Sequence, residues 1–453
     1  MISMTLLGII GLLALFLLLA VRMPVALSML GVGFVGTIIA NANKLIEVGM
    51  ASDQAWARGW KIAYSNLAGE TFEAASNYNL LVIPMFVVMG NLAGLSGMSN
   101  DLFNAAYRWM GHLRGGLASA TIAACAGFAA LSGSSLASAV TMGRVALPEM
   151  KKYKYADSLA TGSVAAGGTL GFLIPPSGGM IIYAVLTEQS VGRLFMAGVF
   201  PGIILTLLFI GAIYWVVVRN PEAGPRGERF GRSERMSSLL RALPIIGVVL
   251  LTIGGMYTGF FTPVEASAVG AFFTFVVAAW RRSLNLTSVK TVVLESMTAT
   301  ATVFLIIIGA FVFIPFMSMT ELPAKMVVIL TSLPIGELGI LLIIILVYIF
   351  LGMFLESIAM LVLTIPVVIP IAIGLEWDLV WFGIIVVIVL EMGMISPPVG
   401  INVFIVKSIA QDVPMAHIFR GIWPFWFAMA AMIGLLILFP QIALFLPETI
   451  VGR

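Results

Sequence analysis

The chain has 453 residues, of which 60% are hydrophobic and only 10% charged, with a mean hydropathy of +1.10. Soluble domains carry roughly 25% charged residues, so a soluble enzyme and a disordered chain are both excluded, and continuous apolar runs exclude the alternating segments of a β-barrel. A net charge of +3 and a single cysteine, Cys125, leave no case for nucleic-acid binding or for a disulfide framework; the sequence is that of an all-α polytopic membrane protein.

A bilayer core about 30 Å thick takes roughly 20 helical residues. The first apolar run, 3–21, precedes the first basic residue, Arg22. A signal peptide carries its positive region ahead of the apolar one, so this run reads as a retained span. A second span, 24–40, opens on Pro24-Val25-Ala26. Residues 41–75 then mix Lys44, Glu47, Asp53, Arg58, Lys61, Glu70 and Glu73 with Trp56, Trp60, Tyr64 and Phe72. That is the composition of an external amphipathic element lying at the lipid interface. A third span, 78–97, leads through an interfacial connector, 98–114, to an apolar stretch over 117–147. This stretch is broken at its middle by Leu131-Ser132-Gly133-Ser134-Ser135-Leu136-Ala137-Ser138. Spans follow over 156–186 and 194–218, the first interrupted by Gly171-Phe172-Leu173-Ile174-Pro175-Pro176-Ser177-Gly178.

The loop 219–241 holds Arg219, Arg226, Arg229, Arg232, Arg235 and Arg241 and is cytoplasmic by the positive-inside rule. Beyond it lie spans over 243–260, 263–280 and 291–318, with Arg281, Arg282 and Lys290 between the last two. A connector over 320–337 leads to a second broken stretch, 338–371, whose middle reads Gly352-Met353-Phe354-Leu355-Glu356-Ser357. The last spans are 380–409, interrupted by Gly393-Met394-Ile395-Ser396-Pro397-Pro398-Val399-Gly400, and 421–446. Placing Arg22, Arg108, Arg114, Arg144, Lys151, Lys152 and Lys154 inside requires 117–147 and 338–371 each to enter and leave on one side. Two arms of about 15 residues, roughly 22 Å each, fall short of a crossing, so both stretches read as re-entrant hairpins. About ten crossings result, with both termini periplasmic.

The two Gly/Pro segments nearly repeat one another at an offset of 222 (393 − 171). The openings Pro24-Val25-Ala26 and Pro263-Val264-Glu265 form a weaker pair. The chain therefore divides into a first repeat, 1–218, the basic loop 219–241, and a second repeat, 242–453. An odd number of crossings per half makes this an inverted repeat, the plan of secondary transporters with a site near the midplane. Proline lacks an N–H and clashes with the carbonyl four residues back, so Pro175 and Pro176 free the carbonyls of Gly171 and Phe172. Pro397 and Pro398 free those of Gly393 and Met394. Unpaired carbonyls at membrane depth need protein, water or a cation. The serines of the first tip supply hydroxyls for a hard cation; Ser138 reads as a packing residue. Offset mapping places Ser135 on Ser357, and Glu356, a costly intramembrane carboxylate, reads as a site residue. Ser134, Ser177, Glu356 and Asn402, on the tips and beside the Pro-Pro breaks, are the candidate substrate contacts.

Among the other charges, Glu265 and Glu295 are expected to pair in the scaffold, Glu391 to orient the second broken segment, and Lys407 to snorkel. Arg144 is either an anion contact or a positive-inside anchor. His112 and His417 read as interfacial. The sequence has no HExxH, GxSG or GxGD and no Walker-type loop, which speaks against a membrane enzyme or an ATP-driven pump.

Taken together in order and spacing, several stretches are specific. They are Leu81-Val82-Ile83-Pro84-Met85-Phe86, Gly111-His112-Leu113-Arg114-Gly115-Gly116, Ser132-Gly133-Ser134, Ile174-Pro175-Pro176-Ser177, Thr262-Pro263-Val264-Glu265-Ala266, and Gly393 through Asn402. Over almost its whole length the chain resembles the large membrane subunit (DctM type) of tripartite ATP-independent periplasmic transporters. The resemblance implies a sodium-coupled importer of a small organic acid, such as a dicarboxylate, keto acid or sialic acid, in the bacterial inner membrane. It implies two partners, a small four-helix membrane subunit and a periplasmic substrate-binding protein, and an elevator motion of a transport domain against a scaffold. It also implies sodium sites between each hairpin tip and the following broken helix. Carried over, one would use Ser132, Ser135, Gly171, Ile174 and Pro176, and the other Gly352, Ser357, Gly393 and Ser396. No small-subunit-like segment precedes the first span, so that partner is expected as a separate chain. Two departures stand out: residues 41–75 are longer than expected, and Glu356-Ser357 and Ser396 replace the commoner Asp-Thr and Thr. The alternative reading is a stand-alone ion-coupled anion carrier of the same architecture.

Overall fold

Apolar runs too long to leave backbone groups unpaired in lipid must be helical, and helices account for every regular element among the described residues of the computed structural model, which are residues 3–449. The expected periplasmic placement of the two termini falls on ends that lie outside those residues. The first half opens with α1 (Met4–Ala20), α2 (Val25–Glu47) and α3 (Ser52–Ser76). After a 3-10 turn at Tyr78–Leu81 come α4 (Val82–Leu95) and α5 (Met98–Met110). The first hairpin is α6 (Gly116–Ser132) and α7 (Ser135–Lys152), and the broken span is α8 (Asp157–Leu173) and α9 (Gly178–Leu186). α10 (Val191–Arg219) closes the half. The second half runs through α11 (Arg232–Tyr257), α12 (Pro263–Trp280), α13 (Leu286–Met319) and α14 (Leu322–Ser332). The second hairpin is α15 (Gly336–Gly352) and α16 (Ser357–Gly374), followed by the broken span α17 (Leu379–Met394) and α18 (Ile401–Ile409). α19 (Met415–Leu438) and α20 (Gln441–Thr449) end the described chain, parted at Pro440.

The repeat extends well beyond the Pro-Pro segments. α7 and α16 begin 222 residues apart (357 − 135), as do α8 and α17 (379 − 157). Nine helices among the described residues are long and apolar enough to cross a membrane. They include eight of the expected spans or parts of them, together with α16 at 18 residues. The hairpin arms run to 17 or 18 residues each, about 26 Å, against an expectation of about 15. Length alone therefore does not separate an arm from a crossing. Three other boundaries differ from expectation. α2 continues to Glu47, so Lys44 and Glu47 belong to it. α11 begins at Arg232, so the loop's last three arginines are helical. The final expected span, 421–446, is two helices, because Pro440 cannot continue α19.

Residues 52–76 form one continuous helix with an alternation of small buried and large exposed residues. Ala55, Gly59 and Ala63 are buried, whereas Trp56, Trp60, Tyr64 and Phe72 are exposed. A Cβ on Gly59 would lie 2.9 Å from the Ile38 carbonyl, so small residues let α3 approach α2 backbone to backbone. The same device joins α2 to α13, where Gly33 and Gly309 face Val312 and Ala26 carbonyls.

The chain forms two compact units. The first consists of Met1–Leu80, Thr298–Ile344 and Ile358–Leu379; the second of Leu81–Met297, Ile345–Ser357 and Val380–Arg453. Each draws segments from both halves of the sequence. The second unit contains both hairpin tips and both Pro-Pro breaks.

Candidate functional site

Within the second unit each hairpin tip lies on the broken helix that follows it. α6 ends at Gly133, whose φ of +58° suits glycine. A Cβ there would fall 2.7 Å from the Pro176 carbonyl oxygen, and the Gly178 N–H donates to the Gly133 carbonyl at 3.1 Å. Gly171 faces the same tip: its Cβ would be 2.5 Å from the Ser134 carbonyl oxygen. The second tip repeats the arrangement. The Gly400 N–H donates to the Met353 carbonyl at 3.3 Å, and a Cβ on Gly393 would meet Gly352 Cα at 2.7 Å. Gly178 and Gly400 occupy matching repeat positions (400 − 178 = 222), so the same donor position fastens each tip, to acceptors two residues out of register (353 − 133 = 220). The Pro175-Pro176 and Pro397-Pro398 bonds are both cis.

The carbonyls freed by proline find donors in part. Ser177 Oγ donates to the Phe172 carbonyl at 2.5 Å and caps α9 through the Met180 N–H. The Gly393 carbonyl accepts from the Ser396 N–H at 2.9 Å. Ser396 Oγ donates to the Met392 carbonyl at 2.7 Å and accepts from the Trp426 indole at 3.0 Å.

Both tips converge on one carboxylate. Ser135 Oγ, in the first turn of α7, donates to Glu391 Oε1 at 3.2 Å; Ser357 Oγ, the first residue of α16, donates to the same oxygen at 2.9 Å. Glu391 is 1% exposed, and its Oε2 has no hydrogen-bond partner among the described residues. The sequence reading cast Glu391 only as an orienter of its own segment. The signal that marks it is plain: it is the one charged residue of α17, and an intramembrane acid defaults to function.

The remaining candidates sort by position. Ser132 Oγ is paired with Ser138 Oγ at 2.8 Å, and Ser134 caps α7 through the Ala137 N–H. Ile174 ends α8 and packs its side chain against Gly202 of α10. Glu356 lies between Gly352 and Ser357 on the second tip, close enough to act electrostatically on Glu391. Asn402, the second residue of α18, is fully buried with neither amide atom hydrogen-bonded among the described residues. Arg144 lies away from the tips; with Asn100, Tyr107, Glu149, Lys152 and Glu228 it lines a cavity of about 450 Å³. Glu265 finds its partner locally: its carboxylate accepts from the Thr262 N–H and hydroxyl at 2.8 and 2.9 Å, a capping box on α12. Lys407 Nζ donates to the Gln411 and Val413 carbonyls at the end of α18. Beyond it, Asp412 is ion-paired with Lys151, which holds the Asp412 carboxyl below its usual range and the Lys151 amine above its own.

An all-helical architecture of many apolar helices, with paired hairpins and paired broken helices recurring at one offset, is that of a multi-pass membrane protein. The description "Tripartite ATP-independent periplasmic transporter, DctM component" matches residues 12–442, and the chain belongs to that family. It is 34% identical over 84% of its length to the C4-dicarboxylate TRAP transporter large permease protein DctM of Pseudomonas aeruginosa, covering 89% of that protein. It is 32% identical over 82% of its length to the ectoine TRAP transporter large permease protein TeaC of Halomonas elongata, covering 86% of it. Among solved structures, the YdaH transporter of Alcanivorax borkumensis shares the fold. Its TM-score is 0.64 at 15% identity, over 85% of this chain and 90% of that one.

Proposed function

We propose that this chain is the sodium-coupled permease subunit of a binding-protein-dependent importer of a small organic anion in the bacterial inner membrane. What supports the reading is one observation: both hairpin tips and both broken helices meet in one unit, around a buried carboxylate with an oxygen to spare. The donor chemistry fits a hard cation. The hydroxyls of Ser135, Ser357 and Ser396 each spend their proton on a protein acceptor, which leaves oxygen lone pairs for a metal. Gly171 and Gly393 bring broken-helix backbone against the tips, and Pro176 adds a carbonyl there. Bound sodium would supply local positive charge. The tip N–H groups and the N-termini of α7, α9, α16 and α18, with the Ser134 hydroxyl and the Asn402 amide, would hold the anion; Ser177, whose proton goes to the Phe172 carbonyl, would cap α9 instead, and Glu356, itself an acid, would border the anion's seat without donating to it.

In this reading the hairpins are re-entrant, the termini are periplasmic, and the loaded unit moves as an elevator. The partners are a periplasmic binding protein and a separate small membrane subunit, with lipid around both. C4-dicarboxylate and ectoine are carried by the relatives, and an organic acid of that size is the proposed cargo here. The test is thermal unfolding of the purified chain titrated with NaCl against KCl at matched ionic strength. Binding to the folded state alone adds about 2.7 kcal/mol at a hundredfold excess over Kd. A sodium-specific rise, weakened by Ser135→Ala or Ser396→Ala, is expected. Equal response to both salts, alone and with the small subunit co-expressed, rejects sodium coupling. Uptake that proceeds without added binding protein would favour the stand-alone carrier.

A further inference from the structure

We infer that Glu391 is a positioning residue that ties the two hairpin tips to each other, so that ordering one tip orders the other. The two hairpins come from opposite halves of the repeat, and each already has its own fastening to its own broken helix, Gly178 to Gly133 and Gly400 to Met353. Those fastenings are private to each half. Glu391 is different, because a single oxygen of one side chain accepts from Ser135 of the first tip and from Ser357 of the second. Displacing either serine removes a donor from a carboxyl group that is 1% exposed. Its other oxygen has no hydrogen-bond partner among the described residues, so the two hydroxyls are what hold the carboxyl group in its rotamer; with one gone, the group can turn to satisfy its other oxygen, because a buried acceptor left unmet is costly. Loss of one tip contact therefore weakens the seat of the other. The carboxylate stands on α17, a helix with fifteen of its sixteen residues buried, so the acceptor cannot follow either tip outward.

The inference depends on the proposed transport role only for what the tips are for; the coupling itself is tested without sodium or substrate. In a full-length Cys125→Ala background, single cysteines replace Ala137 in the first turn of α7 or Phe354 on the second tip, both exposed. Maleimide modification rates are measured in detergent in potassium buffer. Ser357→Ala is expected to raise the rate at position 137 about tenfold, and Ser135→Ala to raise it at position 354 equally, the effect of one lost bond to a carboxylate. The reciprocity follows from linkage. Glu391→Ala should raise both rates, with no further rise on adding either serine substitution. Glu391→Gln, which keeps an Oε1 acceptor, should restore rates to within about threefold of the parent. Should Glu391→Ala not fold, the two serine substitutions decide alone. If each changes labelling only at its own tip, the tips are independent and the inference is wrong. Reciprocal labelling in a protein whose unfolding ignores sodium would reject the coupling ion and keep the coupled tips.

Discussion

Glu265 opens α12 with its carboxylate folded back on Thr262, whose hydroxyl in turn accepts from the Glu265 N–H at 3.3 Å. Two donors at a helix start are thus satisfied reciprocally. Thr262→Ala is expected to lower unfolding stability by about 1 kcal/mol, and Glu265→Ala to lower it as well. The double substitution should cost well under the sum, because the two side chains act as a unit. Additive losses in thermal unfolding would mean that Glu265 acts elsewhere. Glu265 was expected to find a partner within the scaffold, and the local pattern Thr262-Pro263-Val264-Glu265 already names it. The same contrast holds at the site. Ser135 and Ser357 are legible as counterparts from a 222-residue offset, since repeat arithmetic is a property of sequence. Their common acceptor was not legible, because Glu391 meets them only through tertiary packing: it lies 256 residues from one and 34 from the other. Ser177 illustrates the opposite failure. Its hydroxyl reads as available for substrate, yet its proton is committed to the carbonyl that Pro176 had freed.

At the scale of elements, glycine sets how closely helices approach, and the chain uses it in two distinct settings. α8 crosses α19 at Gly162 and Gly421, where a Cβ on Gly421 would sit 1.8 Å from the Ser158 carbonyl oxygen. No side chain movement relieves a clash with backbone, so the helices must part. Gly171, by contrast, faces the first tip, where a Cβ would be 2.5 Å from the Ser134 carbonyl. Gly421→Ala is expected to destabilise the whole unit by about 1–3 kcal/mol, the usual range for overpacking, and to reduce the yield of folded protein. Gly171→Ala should cost less stability, because the tip can lift, while weakening any sodium-specific stabilisation more than tenfold. Thermal unfolding in both salts measures the two together; similar loss of stability with intact sodium response in both variants would remove Gly171 from the site. Helix existence was readable in the apolar runs, which have one outcome in lipid, but α5 and α14 are helices where only connectors were expected. Boundaries were less so. α2 outruns its apolar stretch to Glu47, where Lys44 in its last turn favours the C-terminus.

For the whole molecule, the side of the membrane on which each loop lies rests on arginine counts and on the parity of crossings. α3 is the element on which parity turns. Its 25 residues are long enough to cross, and a crossing there would invert everything that follows up to the basic loop. Two observations argue that it does not cross. It carries Asp53, Arg58, Lys61, Glu70 and Glu73 across its length, and a charge at the centre of a span costs about 2.5–3.5 kcal/mol even on the mildest scale. It is also absent from the nine helices apolar enough to span. Its exposed Trp56, Trp60, Tyr64 and Phe72 suit a helix lying at the headgroup level against α2. Cysteines placed singly at Ser52 and Glu73, near opposite ends of α3, are therefore expected to react with a membrane-impermeant maleimide in intact spheroplasts. A cysteine at Glu222, in the basic loop, should react only after permeabilisation. Modification of one end of α3 from outside and the other only from inside would make it a true crossing. In that case Arg22 and the basic residues that follow α3, Arg108 and Arg114 first among them, could not all lie inside, and the positive-inside assignment from which the hairpins were read as re-entrant would fail.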